Sequence, residues 1–528
     1  MCGIALIIGP NPDARLFESM LGKIAPRGEV RETACAGRHL LGTQRLKIVD
    51  RERAVQPWSS PDGRWAVCYN GEVYNFRALR SELAALGHVP QSDGDTEVIL
   101  NAFLAWGDQA VHRLRGEFAF AIVDTVTDHV YCARDPLGVK PLYWCRHDGH
   151  LYAASELKAL VPVGGPIHEV PPGSHGWGSP VQDPAITRYI DLLSIGDGEG
   201  PVMDTREAAR LVRDALEDAI RVRLDTDLTV GVVLSGGLDS TLTLLHVREM
   251  HPDCVAFTIG APDSDDVSYA RRVARDLRIE HEIIEMSPGD IRLIDVREAI
   301  RMSELTEYGD VINAVISRPL FARVQSCGVK VVLCGDGSDE LFGGYEMYRQ
   351  PDPELRQRIF GHKLHNLGRT ELQRVDRTSM GQAVEARVPF LDLALVRLAM
   401  QLPIEMKLRD GHDKWILRHA FADVLPSYVR QRPKNPLSHS SGLHERVRLY
   451  RSLFPRLYRS FGYERLGPMR RDFSIVLEEH GLDLDRALQG ARSRPDYSIA
   501  DHARDLAGAL RWNAIGTMRR ARKPAATG

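Results

Sequence analysis

The chain has 528 residues, too many for one hydrophobic core, so at least two domains are expected. Hydrophobic residues make up 43% and charged residues 26%, a globular balance, and a net charge of −3 provides no electrostatic footprint for nucleic acid or an acidic membrane. The longest apolar runs (230–234, 329–333) are strand-length, the eight cysteines form no CxxC pair and the seven beyond Cys2 are expected to fill core space, and the N-terminus lacks a basic leader; a reducing cytoplasm is expected, with no membrane and no nucleic-acid partner.

In chain order, residues 4–8, 66–69, 118–124, 130–134 and 151–155 are short apolar or alternating runs bounded by Gly, Pro and Asp, which predicts strands. Amphipathic helices are predicted over 77–86 and 97–106. Residues 170–178 are rich in Pro and Gly, residues 195–201 read as a linker, and Asp204-Thr205 as a helix start. The pattern then changes to helix 207–223, strand 230–234, a glycine-rich turn and helix 240–250. Strand 255–259, helix 268–277, strand 282–285, a long helical stretch and strand 330–334 follow. This alternation predicts a parallel sheet with helices on both faces. From residue 351 onward the chain is predicted mostly helical, with 518–528 a solvated basic end.

Cys2 follows Met1 and precedes Gly3. Removal of the initiator methionine leaves a cysteine whose own α-amine, with a reference pKa of about 7.7–8.0, is a base for the thiol. On position alone, a chance cysteine is the simpler reading. Downstream strings reverse it: Gln44-Arg45-Leu46-Lys47-Ile48-Val49-Asp50, Asn70-Gly71-Glu72-Val73-Tyr74-Asn75, Gly94-Asp95-Thr96-Glu97 and Arg134-Asp135-Pro136-Leu137-Gly138. With these, residues 1–190 resemble the class II glutamine amidotransferases. The resemblance implies an α+β glutaminase domain over 1–194, a β-sandwich flanked by helices and of N-terminal-nucleophile type. It implies that Cys2 attacks the glutamine amide while Asn70 and the Gly71 N–H hold the oxyanion. Arg45 would pair with the α-carboxylate, and Glu72 and Asp95 with the α-ammonium. Where the family often carries His-Arg-Gly-Pro-Asp, this chain has Pro26-Arg27-Gly28-Glu29-Val30, so the loop is expected in altered form.

The string Leu234-Ser235-Gly236-Gly237-Leu238-Asp239-Ser240 lies at a predicted strand-to-helix turn and lacks the Gly-Lys-Ser/Thr ending of a Walker A loop. Its glycines admit an anion close to the backbone, and the helix start points N–H groups at it. Ser235 and Ser240 add hydroxyls. Asp239 would repel bare phosphate, which points to Mg²⁺ between carboxylate and phosphate oxygens. A second turn, Cys334-Gly335-Asp336-Gly337-Ser338-Asp339-Glu340, follows another strand, so both turns can face one site, with Asp339 the second carboxylate.

These strings, with Glu385-Ala386-Arg387-Val388-Pro389-Phe390-Leu391-Asp392, Lys414 and Lys434, resemble the synthetase half of the glutamine-dependent asparagine synthetases over about 205–445. The resemblance implies an α/β domain of ATP-pyrophosphatase type over 205–512, followed by a flexible tail over 513–528. ATP would be bound by Leu234, Ser235, Gly236, Gly237, Asp239, Ser240, Ile259, Cys334 and Gly335, and Mg²⁺ by Asp239 and Asp339. Lys434 would neutralise the leaving pyrophosphate. Asp336 stands where the family has a glutamate, one methylene longer, and is taken as catalytic. Lys414 reads equally as a phosphate neighbour or a surface lysine.

The implied reaction adenylates a carboxylic acid with ATP and displaces AMP with ammonia that Cys2 releases from glutamine and an internal passage delivers. The expected partners are glutamine and a small carboxylic acid, with a homodimer among the expected assemblies. Aspartate is the default acceptor. The family strings Thr-Ile-Arg-Ala-Ser-Thr and, after Lys434, Glu-Gln-Phe are replaced by Val311-Ile312-Asn313-Ala314-Val315 and Asn435-Pro436-Leu437, which favours a less charged acid of a secondary-metabolite pathway. Three other readings stand beside these. They are a β-lactam-synthetase-like ligase using an internal amine, a glutaminase serving another protein, and a non-catalytic scaffold. Cys2 with its partners opposes the first, the serine–glycine loop the second, and the Asp239–Asp339 pair the third.

Overall fold

In the computed structural model, β1 (Cys2–Ile8) is buried at every position, and a side-chain period of two explains how. Ile4, Leu6 and Ile8 face one apolar core, while Ala5 and Ile7 face another. The structure describes residues 1–192, 195, 204–305, 308–349, 353–435 and 437–465.

The strands that follow are β2 (Val30–Ala36), β3 (His39–Arg45), β4 (Trp58–Ser59), β5 (Trp65–Val73), β6 (Gly116–Asp124), β7 (His129–Arg134), β8 (Tyr143–His147), β9 (His150–Ala154), β10 (His168–Glu169), β11 (Ser174–Ser179) and β12 (Gln182–Arg188). They pair into two six-stranded sheets, ordered β10-β8-β9-β1-β3-β2 and β12-β11-β7-β6-β5-β4, whose registered pairs are antiparallel. The two sheets stack through Ile4, Leu6, Leu41, Cys68, Ala121 and Val123. Helices α1 (Ala14–Lys23), α2 (Phe76–Ala85) and α3 (Asp95–Trp106) cover the outer faces: Phe17, Met20 and Leu21 of α1 on the first sheet, and Leu79, Val98 and Phe103 of α2 and α3 on the second. A short α4 (Leu157–Leu160) follows β9. This is the expected helix-flanked sandwich.

The second half opens with α5 (Thr205–Val222). Asp204 caps it by accepting the Glu207 N–H at 2.8 Å, and Ala208, Val212, Leu216 and Ala219 form the buried stripe. Then come β13 (Val230–Val233), α6 (Leu238–Met250), β14 (Val255–Gly260), α7 (Asp265–Leu277), β15 (Glu280–Glu285), α8 (Leu293–Ser303), α9 (Tyr308–Ser326), β16 (Val331–Leu333), α10 (Ser338–Phe342), α11 (Pro353–Asn366), α12 (Glu371–Met380) and β17 (Glu385–Arg387). The strands form a parallel sheet in the order β15-β14-β13-β16-β17. Strand order reverses between β13 and β16, and a crevice opens there at the carboxyl ends, as in other open α/β sheets.

Three features depart from the sequence reading. β17 lies in a region predicted mostly helical, because three residues leave no periodic signal. β11 runs through a stretch read as Pro/Gly-rich, where its glycines dilute the alternation. Of the seven cysteines expected to fill core, Cys35 and Cys327 are exposed. Residues 196–201 of the expected linker, Thr306-Glu307, and the chain from 466 lie outside the described residues. Among the described residues, no helix is long and apolar enough to cross a membrane.

Candidate functional site

The register of β1 against β3 sets Cys2 opposite Arg45, and the stacking of the two sheets brings Cys2 against Asn70 of β5. The backbone nitrogen of Cys2 donates to Asn70 Oδ1 at 3.0 Å. Met1 is in place, so this nitrogen is an amide standing where a free α-amine would be after methionine removal. The Met1 ammonium itself donates to Glu385 Oε2 at 2.7 Å. Asn70 is fully buried, and its Nδ2 has no partner among the described residues. A buried orphan donor beside a thiol is costly to keep unless something fills it. Gly71 follows with φ +153°, and a Cβ there would come within 2.1 Å of the Glu117 carbonyl oxygen, so only glycine fits.

Cys2 is 5% exposed, and burial pushes its thiol up against the downward pull of the α-ammonium, the Leu46 backbone and Arg45. Gln56 Nε2 lies 3.6 Å from the sulfur, while Gln56 Oε1 accepts the Tyr69 N–H at 2.8 Å. Arg45 is buried, its Nε on Glu32 and its Nη2 on the Arg51 carbonyl. Asp95, in the first turn of α3, accepts from Tyr69 Oη at 2.7 Å and from the Val73 N–H at 3.0 Å. Burial raises its carboxyl. Burial, then Glu385 and Asp95, raise that of Glu72. Two buried carboxyl groups thus stand close to the nucleophile, a setting suited to an incoming ammonium.

In the second half, the turns after β13 and β16 meet at the crevice. Ser338 Oγ donates to Asp239 Oδ1 at 2.7 Å. Lys414 Nζ lies 2.5 Å from Asp239 Oδ2 and 2.6 Å from Asp339 Oδ1, and Lys434 Nζ lies 2.5 Å from Asp339 Oδ2. Against the desolvation of burial, the two lysines hold the Asp339 carboxyl down at about 2. Lys414 is 1% exposed, which decides its earlier ambiguity: it is no surface lysine. Ser235 and Ser240 hydroxyls lie 3.2 Å apart across the glycine turn. Gly236 has φ +67°, and a Cβ would come within 2.6 Å of the Ala270 nitrogen, so the turn cannot carry a side chain there. Leu234, Ile259 and Cys334 are buried at the strand ends, and the Cys334 N–H donates to the Arg387 carbonyl. Arg432 Nη1 donates to the Ser235 carbonyl at 2.8 Å and so props the loop. Asp336 is paired with Arg374 of α12, whose other terminal nitrogen donates to Ser317 of α9 at 3.2 Å.

A buried ionic seam joins the halves. Arg27 donates through Nε to the Cys2 carbonyl at 3.0 Å, and through both terminal nitrogens to Asp376 of α12 at 2.8 and 3.0 Å. Glu156 takes Arg27 at 2.7 Å, and Lys158 reaches Glu156 and Glu304. Elsewhere Glu117 pairs with Arg223 and Lys140, and Arg387 of β17 with Glu385. The altered loop at 26–30 thus keeps its arginine at the nucleophile. Glu29 turns outward to Lys330.

The sequence-predicted residues fall into two clusters, with Cys2, Arg45, Asn70, Gly71, Glu72 and Asp95 in one and the ATP-loop residues with Asp336, Asp339 and Lys434 in the other. Gln56, Glu32, Arg374 and Ser338 were missed. Ser338 stands inside the second turn's string, whereas the other three stand in strings without a chemical signature, and only contact reveals them.

Residues 1–172 match the family described as glutamine amidotransferase domain, and residues 211–361 and 352–473 match asparagine synthase. The chain is 34% identical over 426 residues to asparagine synthetase B [glutamine-hydrolyzing] of Escherichia coli (strain K12), covering 76% of this chain and 75% of that protein. It is 33% identical over 471 residues to asparagine synthetase [glutamine-hydrolyzing] 3 of Arabidopsis thaliana, covering 84% and 79%. Over 482 residues it is 32% identical to the probable asparagine synthetase [glutamine-hydrolyzing] of Dictyostelium discoideum, covering 84% and 85%.

Proposed function

Because the chain belongs to the family of glutamine-hydrolysing asparagine synthetases, we propose that it hydrolyses glutamine at Cys2 and uses the ammonia to amidate an acid activated by ATP. One observation carries the reading that both chemistries are coupled. Arg27 holds the Cys2 carbonyl and Asp376 together, and Arg374, two residues earlier on α12, holds Asp336. Residues two apart on a helix point to nearly opposite sides, so α12 has one face toward each site.

At the first site the Cys2 α-amine, freed by loss of Met1, accepts the thiol proton, and sulfur attacks the glutamine amide carbon. Asn70 Nδ2 and the Gly71 N–H take the charge that develops on oxygen. The amine returns the proton to the departing ammonia, and water then cleaves the thioester to glutamate. Arg45 receives the α-carboxylate, and Asp95 and Glu72 the α-ammonium.

At the second site the acid's oxygen attacks the α-phosphorus of ATP, and pyrophosphate leaves among the Ser235–Ser240 loop, Lys414 and Lys434. Ammonia attacks the acyl carbon, AMP departs, and Asp336 takes the surplus proton. Asp239 and Asp339 fit a Mg²⁺ ion: their oxygens converge on one point, taken in this structure by the Lys414 ammonium. Among the described residues no group of three or more His, Cys, Asp or Glu could hold a metal, so the ion would share its coordination with phosphate oxygens, as Mg²⁺ commonly does. When bound, it would neutralise charge on the leaving pyrophosphate.

The acceptor is aspartate, in keeping with the names of the relatives. A second reading, a less charged acid, is favoured by Asn313 of α9. It is uncharged, lies one helical turn before the Ser317 that bonds Arg374, and has a buried Oδ1 without a partner among the described residues. Protein incubated with ATP, Mg²⁺ and glutamine, with and without aspartate, is assayed for pyrophosphate, glutamate and asparagine. Aspartate-dependent pyrophosphate with matching asparagine supports the first reading. Glutamate release without pyrophosphate rejects aspartate.

A further inference from the structure

Arg45 is buried at the end of β3, yet its guanidinium is not left to a substrate alone. Its Nε donates to Glu32 Oε1 at 3.0 Å from the neighbouring strand β2. The other oxygen of Glu32 accepts the Gln56 N–H at 2.8 Å, and Arg45 Nη2 donates to the Arg51 carbonyl at 3.1 Å. Glu32 and Arg45 therefore tie down the segment 46–56 at two points. Gln56 at its end places Oε1 on the Tyr69 N–H and Nε2 at 3.6 Å from the Cys2 sulfur. Two contacts lead from Glu32 to the nucleophile, one at the Gln56 N–H and one at Gln56 Nε2. The Glu32 side chain is 18% exposed and that of Arg45 5%, so the pair is shielded enough to hold a pose that a surface pair would not.

A guanidinium offers a carboxylate two bidentate edges, one containing Nε and one formed by the two terminal nitrogens. Glu32 occupies the first. Nη1 has no acceptor among the described residues and Nη2 gives one of its two hydrogens to the Arg51 carbonyl, so the terminal edge is the one left to a ligand. We infer that Glu32 is a positioning residue for glutamine: it turns Arg45 so that the terminal edge receives the α-carboxylate, and it holds Gln56 against Cys2. The inference rests on the reading of Arg45 as the glutamine anchor.

The test compares glutamine-driven with ammonia-driven amidation in full-length Glu32→Ala, Glu32→Gln and Glu32→Asp, with Arg45→Ala as a control on the anchor. Loss of a charge-assisted contact predicts a KM for glutamine raised about tenfold in Glu32→Ala and Glu32→Gln with kcat changed less than about twofold. Ammonia-driven amidation, which bypasses Cys2, stays at the parent rate. Glu32→Asp recovers KM to within about threefold of the parent, since it keeps the charge. Iodoacetamide labels Cys2 faster in Glu32→Ala, because the segment over the thiol is no longer tied. A KM for glutamine that is unchanged or lower overturns the proposal, the lower value meaning that Glu32 competes with the substrate carboxylate. A parallel loss of ammonia-driven activity also overturns it, as a fold defect. If Arg45→Ala leaves KM for glutamine unchanged, the anchor reading itself falls, separately from the outcome at Glu32.

Discussion

The two candidate sites keep themselves ready in opposite ways. Around Cys2 the chain buries a neutral donor without a partner among the described residues: Asn70 Nδ2 stands beside a thiol that is 5% exposed. Around Asp339 the charges are paired with one another, with Lys414 lodged between two carboxylates and Lys434 on the other Asp339 oxygen. The difference follows from the chemistry each site faces. A site for a neutral amide can afford one preorganised orphan donor, because an uncharged group unpaired in the folded protein costs only about 1–3 kcal/mol. A site for a polyanion and its metal cannot leave several charges bare, so it pairs them internally and exchanges partners when the ligand arrives.

This contrast can be broken most sharply at the nucleophile. Cys2→Ala is expected to lower glutamine-driven amidation by at least about 10³-fold and to leave ammonia-driven amidation intact, read by coupled pyrophosphate release. Comparable loss with both nitrogen donors would mean that the two sites are not separable. Asp339→Asn is expected to lower pyrophosphate formation by about 10²–10³-fold with either donor, as is chelation of divalent ions, because the carboxylate that holds both Lys414 and Lys434 in place is lost. Glutaminase turnover without ATP should survive. Asn70→Ala tests the orphan donor: kcat for glutamine should drop by about 10²-fold with KM little changed, as for one lost oxyanion donor. A rise in KM alone would assign Asn70 to substrate binding.

The seam between the sites answers to pH. Against the desolvation of burial, Arg387 and, in the chain that retains Met1, its ammonium hold the Glu385 carboxyl at about 2, and Arg27 depresses Asp376 further. Their folded values lie below their unfolded ones, so the stability they contribute is complete above about pH 4.5 and is lost as pH falls toward 2. Acid unfolding followed by circular dichroism should steepen across that window, and Glu385→Gln should flatten it. The smallest effect is expected at a residue that belongs to neither site. Lys407 is buried over the Phe360 ring with no anionic partner among the described residues, and burial alone brings its ammonium down to about 7. Its folded value lies below its unfolded one, so stability is lost as pH falls from 10.5 toward 7. Lys407→Met should therefore stabilise the chain at pH 7 by about 1–2 kcal/mol, a gain that vanishes above pH 10.5, measured by thermal melts across that range.

Much of both sites was legible because their residues sit in strings whose spacing carries a mechanism. Serines and glycines bracket Asp239 at a strand-to-helix turn, and Asn70-Gly71 follows a cysteine at position 2. The parallel sheet was legible from its alternation, though not β17, whose three residues are too few to repeat. Lys414 was undecided because a lysine in a helical string looks the same whether solvated or buried. Glu32, Gln56 and Arg374 had no signature at all. Each matters through a partner 24 to 54 residues away: Glu32 through Gln56, Gln56 through Cys2, Arg374 through Asp336.

The residues by themselves determined the two chemistries, the order of the halves and the turns that carry them, because backbone freedom, nucleophilicity and charge are properties of local strings. Tertiary structure alone decided how those strings meet. Antiparallel register set Cys2 opposite Arg45, sheet stacking brought Asn70 to it, and the strand-order reversal put the two carboxylate turns at one crevice. Burial turned Lys414 from an ordinary lysine into the bridge between two carboxylates, and Arg27 into the link between two sites. The physical reason is that desolvation, which gives a buried charge its strength, depends on everything packed around it and on nothing in its own string.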